Sequence, residues 1–200
     1  MTRVVIVSSG MSEASSSTLL AGQFADALGR LGEGVSVETV ELRPLAHDVV
    51  DASITGFASP RLQHVHDLLA AAGVVVVTPI YKASYPGLFK AFVDALDQDV
   101  LIGKTVLLAA TGGTARHSLA IDFALRPLFA YLQAVVVPTG VFASPHDWGS
   151  AGSSALAGRV DRAVGELLSL LSGSGSGRTP DDEIDLFSDT MLSVSDPGRE

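Results

Sequence analysis

Short runs of aliphatic, mostly β-branched residues alternate along the chain with segments whose apolar residues recur at helical spacing. Such runs are typical of strands that are buried on both faces of a parallel sheet. They predict strands over 3–7, 35–40, 74–77, 105–110 and 134–137. The helical spacing predicts helices over 19–31, 62–72, 88–96, 119–132 and 156–171, with a long loop after the second strand.

The order of these elements predicts an α/β fold, because strands that alternate with helices form a parallel sheet covered on both faces. Five strands fit a doubly wound sheet of order 2-1-3-4-5, which is the flavodoxin-like arrangement. A Rossmann dinucleotide-binding domain is the competing interpretation. It requires Gly-x-Gly-x-x-Gly after the first strand, whereas this sequence has Ser8-Ser9-Gly10-Met11-Ser12 there. We therefore expect the flavodoxin-like fold.

The chain has 200 residues, of which 47% are hydrophobic, so one domain with a buried core is expected, and we assign it to residues 1–172. Residues 173–200 contain seven acidic against two basic residues and begin with Gly-Ser-Gly-Ser-Gly, which predicts a flexible acidic tail. A short docking helix in this tail is the alternative. Its apolar residues would be Ile184, Leu186, Phe187, Met191 and Leu192.

The composition also limits the cellular compartments and the classes of partner that we expect. We expect no membrane span and no signal peptide, because no apolar run is long enough and the first strand begins at once. The absence of cysteine excludes disulfides and thiolate metal sites and fits the cytoplasm, where we expect the protein to work. A net charge of −9 argues against nucleic acid as a partner.

In a doubly wound sheet, ligands bind beyond the carboxyl ends of the strands where the strand order reverses, here between strands one and three. The loops 8–17, 78–87 and 111–118 lie at that edge. The first loop is rich in Ser and Thr, contains no Lys or Arg, and stands directly before a helix. Because unpaired amides at a helix start attract anions, the loop predicts a site for a monophosphate. The alternative is one serine that caps the helix, with the others as loop residues.

The second and third loops suit a flat ring and its polar edge. Tyr81 and Tyr85 stand with two prolines in the second loop, a composition that builds a stiff, partly apolar wall. These tyrosines could instead only cover the edge of the core. In the third loop Gly112 and Gly113 let bare backbone amides approach a ligand, although an ordinary turn would also use glycine.

Other sequence motifs that would indicate a nucleotide or metal site are incomplete. The Gly103-Lys104-Thr105 segment lacks the first glycine of a P-loop and precedes a strand. His64 and His66 lie on different faces of their helix, so we expect surface histidines and no metal site. His117, just after the third loop, is the one histidine near the predicted site.

The loop sequences resemble those of the NAD(P)H-dependent FMN reductases of flavodoxin-like fold. The matching stretches are Ser9-Gly10-x-Ser12-x-x-Ser15-Ser16-Ser17, Thr78-Pro79-Ile80-Tyr81-Lys82-Ala83, Ala110-Thr111-Gly112-Gly113-Thr114 and Gly140-Val141-Phe142-Ala143. The second and third stretches are specific to the family, whereas the serine loop alone is not. The likeness covers about residues 1–171 and is greatest to the branch that supplies reduced flavin to luciferase-like two-component monooxygenases.

The resemblance implies a set of cofactor-binding residues. The FMN phosphate would be held by Ser9, Ser15, Ser16 and Ser17. The ribityl chain and ring would lie along Pro79, Ile80, Tyr81, Lys82 and Ala83. The pyrimidine end would meet Thr111, Gly112, Gly113 and Thr114. Met11 would also belong to the cofactor site, where many relatives have Arg, and this difference predicts weaker FMN retention and suits an enzyme that releases its flavin.

The implied activity is hydride transfer from NADPH or NADH to FMN. It requires stacked rings and no acid–base pair, so we expect no catalytic side chain. Backbone amides around Gly113 and Thr114 would stabilise negative charge on the reduced flavin. Lys82 would assist at the NADPH phosphate or the flavin edge, or be an ordinary surface lysine. Two alternatives stay open: a quinone or azo-dye reductase with bound FMN, and a flavodoxin-like electron carrier.

The resemblance also implies an oligomer, because relatives are dimers or tetramers and some carry a π-bulge in the fourth helix. Phe123 is the matching position for the aromatic residue at that bulge. Two predicted helices carry more aromatic rings than one sheet face needs, so we expect a homodimer or homotetramer. These rings belong to Phe89, Phe92, Phe123, Phe129 and Tyr131.

Overall fold

A parallel sheet of six strands organises the molecule, in the order β2-β1-β3-β4-β5 with β6 also paired to β4. The computed structural model describes residues 2–12, 14–149 and 152–173. The strands are β1 Thr2–Ser8, β2 Val35–Glu41, β3 Gly73–Pro79, β4 Thr105–Thr111, β5 Val135–Val136 and β6 Val141–Ala143. The predicted flavodoxin-like order is confirmed.

Helices cover both faces of this sheet. They are α1 Ser16–Leu31, α2 Ala46–Thr55, α3 Pro60–Ala70, α4 Gly87–Asp94, α5 Arg126–Tyr131 and α6 Ser153–Gly173. One core cluster joins the sheet to α1 and α6, and the other joins it to α2, α3, α4 and α5. In β1 the side chains of Val4 and Ile6 enter the first cluster and those of Val5 and Val7 the second, which explains the solid run of apolar residues.

Two parts of the predicted element order are wrong. The segment after β2, predicted as a long loop, forms a 3-10 turn and then α2. Only Val49 and Ala52 of α2 are buried, so its apolar periodicity is too short to stand out in the sequence. The fifth strand, predicted over 134–137, is split into β5 and β6, which pair with successive parts of β4.

The split arises at Pro138, which has no backbone N–H for the ladder. β4 advances from Val106 to Ala109 while its partner advances from Val136 to Val141, so extra residues bulge out. Side chains replace the lost ladder bonds. Arg126 Nη1 donates to the Val137 carbonyl at 3.1 Å, and Glu166 accepts from the N–H and hydroxyl of Thr139 at 2.8 and 2.6 Å.

The predicted helix over 119–132 contains a π-helical turn, Ile121–Leu125, directly before α5. Phe123 lies within this turn, at the position suggested by the resemblance, and is 78% exposed. The prediction of surface histidines is correct for His64 and wrong for His66, which is 2% exposed. Neither ring nitrogen of His66 has a hydrogen-bond partner, and Asp97 Oδ2 lies 3.8 Å from Nδ1.

The boundary between domain and tail is described on one side only. The last helix reaches Gly173, one residue beyond the predicted domain. The predicted tail from residue 174 onward, including the alternative docking helix, lies outside the described residues. In the described part of the chain, no helix has the length and hydrophobicity needed to traverse a bilayer.

Candidate functional site

A cavity of about 300 Å³ opens at the carboxyl ends of β1, β3 and β4, where the strand order reverses. Its lining comes from four loops and, among the described residues, contains no charged side chain. The lining residues are Ser12, Ala14, Ser15, Ser16, Pro79, Ile80, Tyr81, Thr111, Gly112, Gly113, Pro145 and Trp148. All three loops predicted from the sequence therefore meet at one cavity.

The first loop brings hydroxyl groups to the start of α1. The Ser15 side chain caps this helix by accepting a hydrogen bond from the Ser17 N–H at 3.1 Å. Gly10 is required there, because a Cβ on it would lie 2.3 Å from Ser15 Oγ. Ser12 and Ser16 are exposed and line the cavity with Ser15, so neutral donors converge at the positive end of a helix.

Two predicted phosphate residues of the same loop lie beneath the cavity. Ser9 and Ser17 are fully buried. The Ser9 hydroxyl donates to Thr78 Oγ1 at 2.7 Å, and the Ser17 hydroxyl bonds Thr111 Oγ1 at 2.8 Å. These bonds tie β1 to β3 and α1 to β4, so they hold the cavity walls in place.

The second loop forms a tight hairpin between Tyr81 and Ser84. Tyr81 N–H donates to the Ser84 carbonyl at 2.8 Å, and Ser84 N–H donates back to the Tyr81 carbonyl at 3.1 Å. The two residues between them, Lys82 and Ala83, have positive φ values of 49° and 67°, which non-glycine residues rarely adopt. Both are exposed and neither lines the cavity.

The two tyrosines of this loop have different roles. Tyr81 lines the cavity and is 52% exposed, so its ring is available to a ligand. Tyr85 packs edge-on against the core residue Phe89, with ring centroids 5.6 Å apart. Tyr85 therefore covers the edge of the core, whereas contact between Tyr81 and a flat ligand ring stays a prediction.

The third loop contains two glycines that line the cavity, and packing requires the absence of a side chain at only one of them. A Cβ on Gly112 would lie 2.8 Å from Phe142 Cζ, whereas a Cβ on Gly113 would meet nothing within 4 Å. Thr114 turns away and caps the following 3-10 turn, accepting from the Arg116 N–H at 3.4 Å. His117 is half-buried beside Gly112, and its Nδ1 is buried without a hydrogen-bond partner.

A fourth wall, missed by the sequence analysis, is the 3-10 turn Pro145–Trp148 after β6. Asp147 fixes this turn, since its Oδ2 accepts from the N–H and hydroxyl of Ser144 at 2.8 and 2.7 Å, and Arg159 pairs with Oδ1. Burial alone would raise the pKa of Asp147, but the Ser144 hydrogen bonds and Arg159 outweigh it and hold the pKa below its usual value. No motif marked this turn, because it reaches the cavity only through the fold.

Some of the residues predicted to bind the cofactor do not line the cavity. These are Ser9, Met11, Ser17, Lys82, Ala83 and Thr114. Met11 is 44% exposed beside the first loop. Within the described ranges, no group of three His, Asp or Glu side chains is placed to hold a metal ion.

The family model of the NADPH-dependent FMN reductases matches residues 2–149. The chain belongs to this family. It is therefore an oxidoreductase that uses FMN with NADPH or NADH. An FMN reductase (NADPH) of Pseudomonas aeruginosa is 38% identical over 149 residues, which is 73% of this chain and 78% of that protein.

Two further comparisons agree with this family. The NADH-dependent FMN reductase SfnF of Pseudomonas putida is 38% identical over 143 residues, 71% of this chain and 77% of that protein. The crystal structure of an oxidoreductase from Corynebacterium diphtheriae is 44% identical and superposes with a TM-score of 0.81, over 86% of this chain and 98% of that chain.

The cavity fits an FMN reductase. Hydroxyls and helix amides at the start of α1 can hold a phosphate, and the described lining residues beside them are uncharged. Tyr81 and Ile80 supply an apolar wall beside the open backbone at Gly113, and this combination suits a ring that is apolar at one end and polar at the other.

Proposed function

We propose that this FMN reductase binds FMN in the described cavity and hands the reduced flavin to a luciferase-like flavin-dependent monooxygenase. The observation that carries the proposal is the uncharged lining in the described part of the site: the hydroxyls of Ser12, Ser15 and Ser16 converge with a helix start, and no cation accompanies them among the described lining residues. Neutral donors bind a phosphate dianion less strongly than charge-assisted ones. The site is therefore suited to a flavin that leaves after each turnover.

Each wall of the cavity has its own task in this proposal. The serine hydroxyls and the first amides of α1 hold the phosphate. Tyr81 and Ile80 cover the ring and exclude water from it. The backbone at Gly113, which carries no side chain, donates to the polar edge of the ring and stabilises negative charge there. When bound, FMN supplies the acceptor for the hydride of NAD(P)H. The chain contributes orientation and electrostatics.

One feature of the serine loop supports release of the flavin to a partner enzyme. Met11 is 44% exposed beside the serine loop, at the position where the resemblance implies Arg in many relatives, so this chain has no charged side chain there to hold the phosphate. The preferred nucleotide is a separate question, because the chain is similar both to SfnF, which is named as NADH-dependent, and to reductases named as NADPH-dependent. The experiment below measures the choice between NADH and NADPH.

The test is anaerobic reduction by NADPH and by NADH, with and without added FMN, on protein freed of small molecules by gel filtration. We expect oxidation of NADPH or NADH that depends on added FMN, and transfer of the reduced FMN to a luciferase-like monooxygenase. Quinone-dependent turnover with flavin retained through the column would contradict release and indicate the quinone reductase alternative. Absence of pyridine-nucleotide oxidation would indicate an electron carrier and contradict the proposal.

The active form is proposed to be a homodimer or homotetramer. Among the rings predicted for an interface, Phe89, Phe92 and Phe129 are buried in the core. Phe123 and Tyr131 instead are 78% and 82% exposed. They lie on the π-helical turn and α5, and apolar rings in such a position favour burial against a second copy. Work in the cytoplasm stays a prediction from the cysteine-free sequence.

A further inference from the structure

Two of the loops that line the flavin cavity each carry a cation whose side chain has no partner among the described residues. These rim cations are Lys82, in the hairpin after β3, and Arg116, in the 3-10 turn after β4, and both are exposed. Most other cations in the described part of the chain are engaged. Those that pair with a carboxylate are Arg30, Arg61, Lys90, Arg126 and Arg159.

The two loops leave neighbouring strands and run side by side at their start. The Ile80 N–H donates to the Thr111 carbonyl at 2.7 Å, where β3 and β4 end. Lys82 directly follows Tyr81, and Arg116 lies in the turn that begins after Gly113 and Thr114. Because Tyr81 and Gly113 line the cavity, the rim cations lie just outside a lining that is itself uncharged in its described part.

No carboxylate within these segments offsets the rim cations. The sequence contains no Asp or Glu from residue 78 to 93 or from 105 to 121, although the whole chain has a net charge of −9. An anion is therefore repelled by the protein as a whole and attracted locally by unpaired cations. Both segments have a net positive charge in an acidic protein.

The hairpin fixes the point at which the Lys82 side chain leaves the backbone. Paired hydrogen bonds between Tyr81 and Ser84 hold Lys82 at a φ of 49°, a conformation that costs energy for a residue with a Cβ. Strained residues of this kind cluster at ligand-binding sites, where the surrounding structure holds them in place. The strain at Lys82 therefore agrees with a ligand-binding role for this cation.

We propose that Lys82 and Arg116 bind the pyrophosphate of NADPH or NADH while the nicotinamide lies against the flavin. This inference rests on the proposed flavin site, and it assigns the phosphates of the second substrate to the outer edge of that site. One ribose separates the pyrophosphate from the nicotinamide, whereas the 2′-phosphate of NADPH lies beyond a second ribose. Cations so close in the chain to the lining therefore suit the pyrophosphate, which both nucleotides carry.

The test compares three hydride donors at saturating FMN: NADPH, NADH and 1-benzyl-1,4-dihydronicotinamide, which has no phosphate. For both nucleotides, Lys82→Gln and Arg116→Gln should each lower kcat/KM about three- to fivefold, and the double variant about tenfold or more. The uncharged donor should keep its kcat/KM in all three variants. Arg3→Gln is the matched control, because Arg3 is also exposed and unpaired but lies at the start of β1, at the opposite edge of the sheet. It removes the same charge and should leave all three donors unaffected.

Binding without turnover is measured with NAD⁺, which carries the same pyrophosphate and cannot reduce the flavin. In calorimetric titrations at saturating FMN, its dissociation constant should rise about tenfold in the double variant, while that of FMN stays at the wild-type value. Added salt should lower the wild-type kcat/KM for NADH, and lower it less in the double variant, because salt screens exposed charges.

The outcomes separate this inference from the proposed function. An equal loss with the uncharged donor, or a weaker affinity for FMN, would assign the rim cations to the flavin and overturn the inference. A loss confined to NADPH would also overturn it, because the cations would then bind the 2′-phosphate. Unchanged kinetics in the double variant would overturn it as well. If no donor reduces FMN, the proposed function fails, and the NAD⁺ titration still decides the inference.

Discussion

Two adjacent glycines at the mouth of the cavity serve different purposes. Gly112 has no side chain because Phe142 occupies the space where a Cβ would lie. Gly113 has free space there and an ordinary backbone conformation, so the fold would accept a side chain. Packing therefore does not require glycine at this position, and we propose that contact with the flavin does.

We expect Gly113→Val to weaken FMN binding about tenfold or more while the free energy of unfolding stays near that of the wild type. The added methyl groups stand where the backbone would meet the flavin. Flavin titration and urea unfolding measure the two effects. Gly112→Ala is the matched control, and should instead lower stability by about 1–3 kcal/mol through overpacking against Phe142. Wild-type FMN binding and kinetics in Gly113→Val would refute the assignment.

Ser15 and Ser16 separate the helix cap from the phosphate site. Ser16→Ala removes a cavity hydroxyl that caps nothing, and should weaken FMN binding about three- to tenfold at unchanged stability. Ser15→Ala loses the cap as well and should cost about 1 kcal/mol of stability. Riboflavin, which lacks the phosphate, is the control ligand, and its affinity should not change in Ser16→Ala. Equal losses for FMN and riboflavin would place the phosphate elsewhere.

For individual residues, the sequence could predict which loops meet at the cavity but not which side chains of each loop face it. Hydroxyl density predicted the serine loop as a whole. Whether a given serine is buried depends on its place in the fold: Ser9 follows β1 and bonds Thr78, and Ser17 lies in the first turn of α1 and bonds Thr111. Trp148 lay outside every motif, since only the packing of α6 and β6 brings its turn to the cavity.

Among the elements, the Tyr81–Ser84 hairpin stores backbone strain. Its central residues Lys82 and Ala83 both lie in the left-handed region, where a Cβ costs about 1–2 kcal/mol relative to glycine. Glycine loses more entropy on folding, which offsets part of that cost. Lys82 and Ala83 therefore hold a backbone conformation that glycine would adopt with less strain.

We expect Ala83→Gly to raise the free energy of unfolding by about 1 kcal/mol, because relief of strain exceeds the added entropy cost. Chemical denaturation measures the change. Ala157→Gly, at an exposed position inside α6, serves as the control and should lower stability by about 1 kcal/mol. A loss of stability in both variants would show that the hairpin is not strained.

Strong periodicity decided which elements could be predicted. The four consecutive valines of β3 are buried on both faces and leave no other interpretation. α2 was missed because its exposed Val50 and Ile54 blur the apolar stripe. The break between β5 and β6 depends on Arg126 and Glu166, which replace ladder bonds from distant positions in the sequence.

For the whole molecule, the exposed rings of the π-helical turn and α5 predict self-association. Sedimentation of the wild type should give a dimer or tetramer, and Phe123→Asp should shift it to a smaller species because burying a charge at an interface is costly. Phe57→Asp is the matched control: Phe57 is 81% exposed but lies after α2, outside that surface, and its change should leave the mass unaltered. A monomeric wild type would contradict the interface.

His66 should make global stability depend on pH. Burial lowers its pKa, outweighing the Asp97 and Asp67 carboxylates that raise it. Unfolded, the ring takes up a proton near pH 6.5, whereas the folded protein resists it, so stability is lost as the pH falls below about 6.5. Denaturant titrations should show this slope in the wild type and a smaller one in His66→Leu. An unchanged slope would assign the effect to other groups.

The central claim is that the hydroxyl loop at the start of α1 holds a flavin phosphate at the reversal point of the sheet. A crystal structure of the protein with FMN tests it most directly. We predict that the phosphate contacts at least one hydroxyl of Ser12, Ser15 or Ser16, with the ring between Tyr81 and Gly113. FMN bound elsewhere, or a phosphate that touches none of these side chains, would contradict the account.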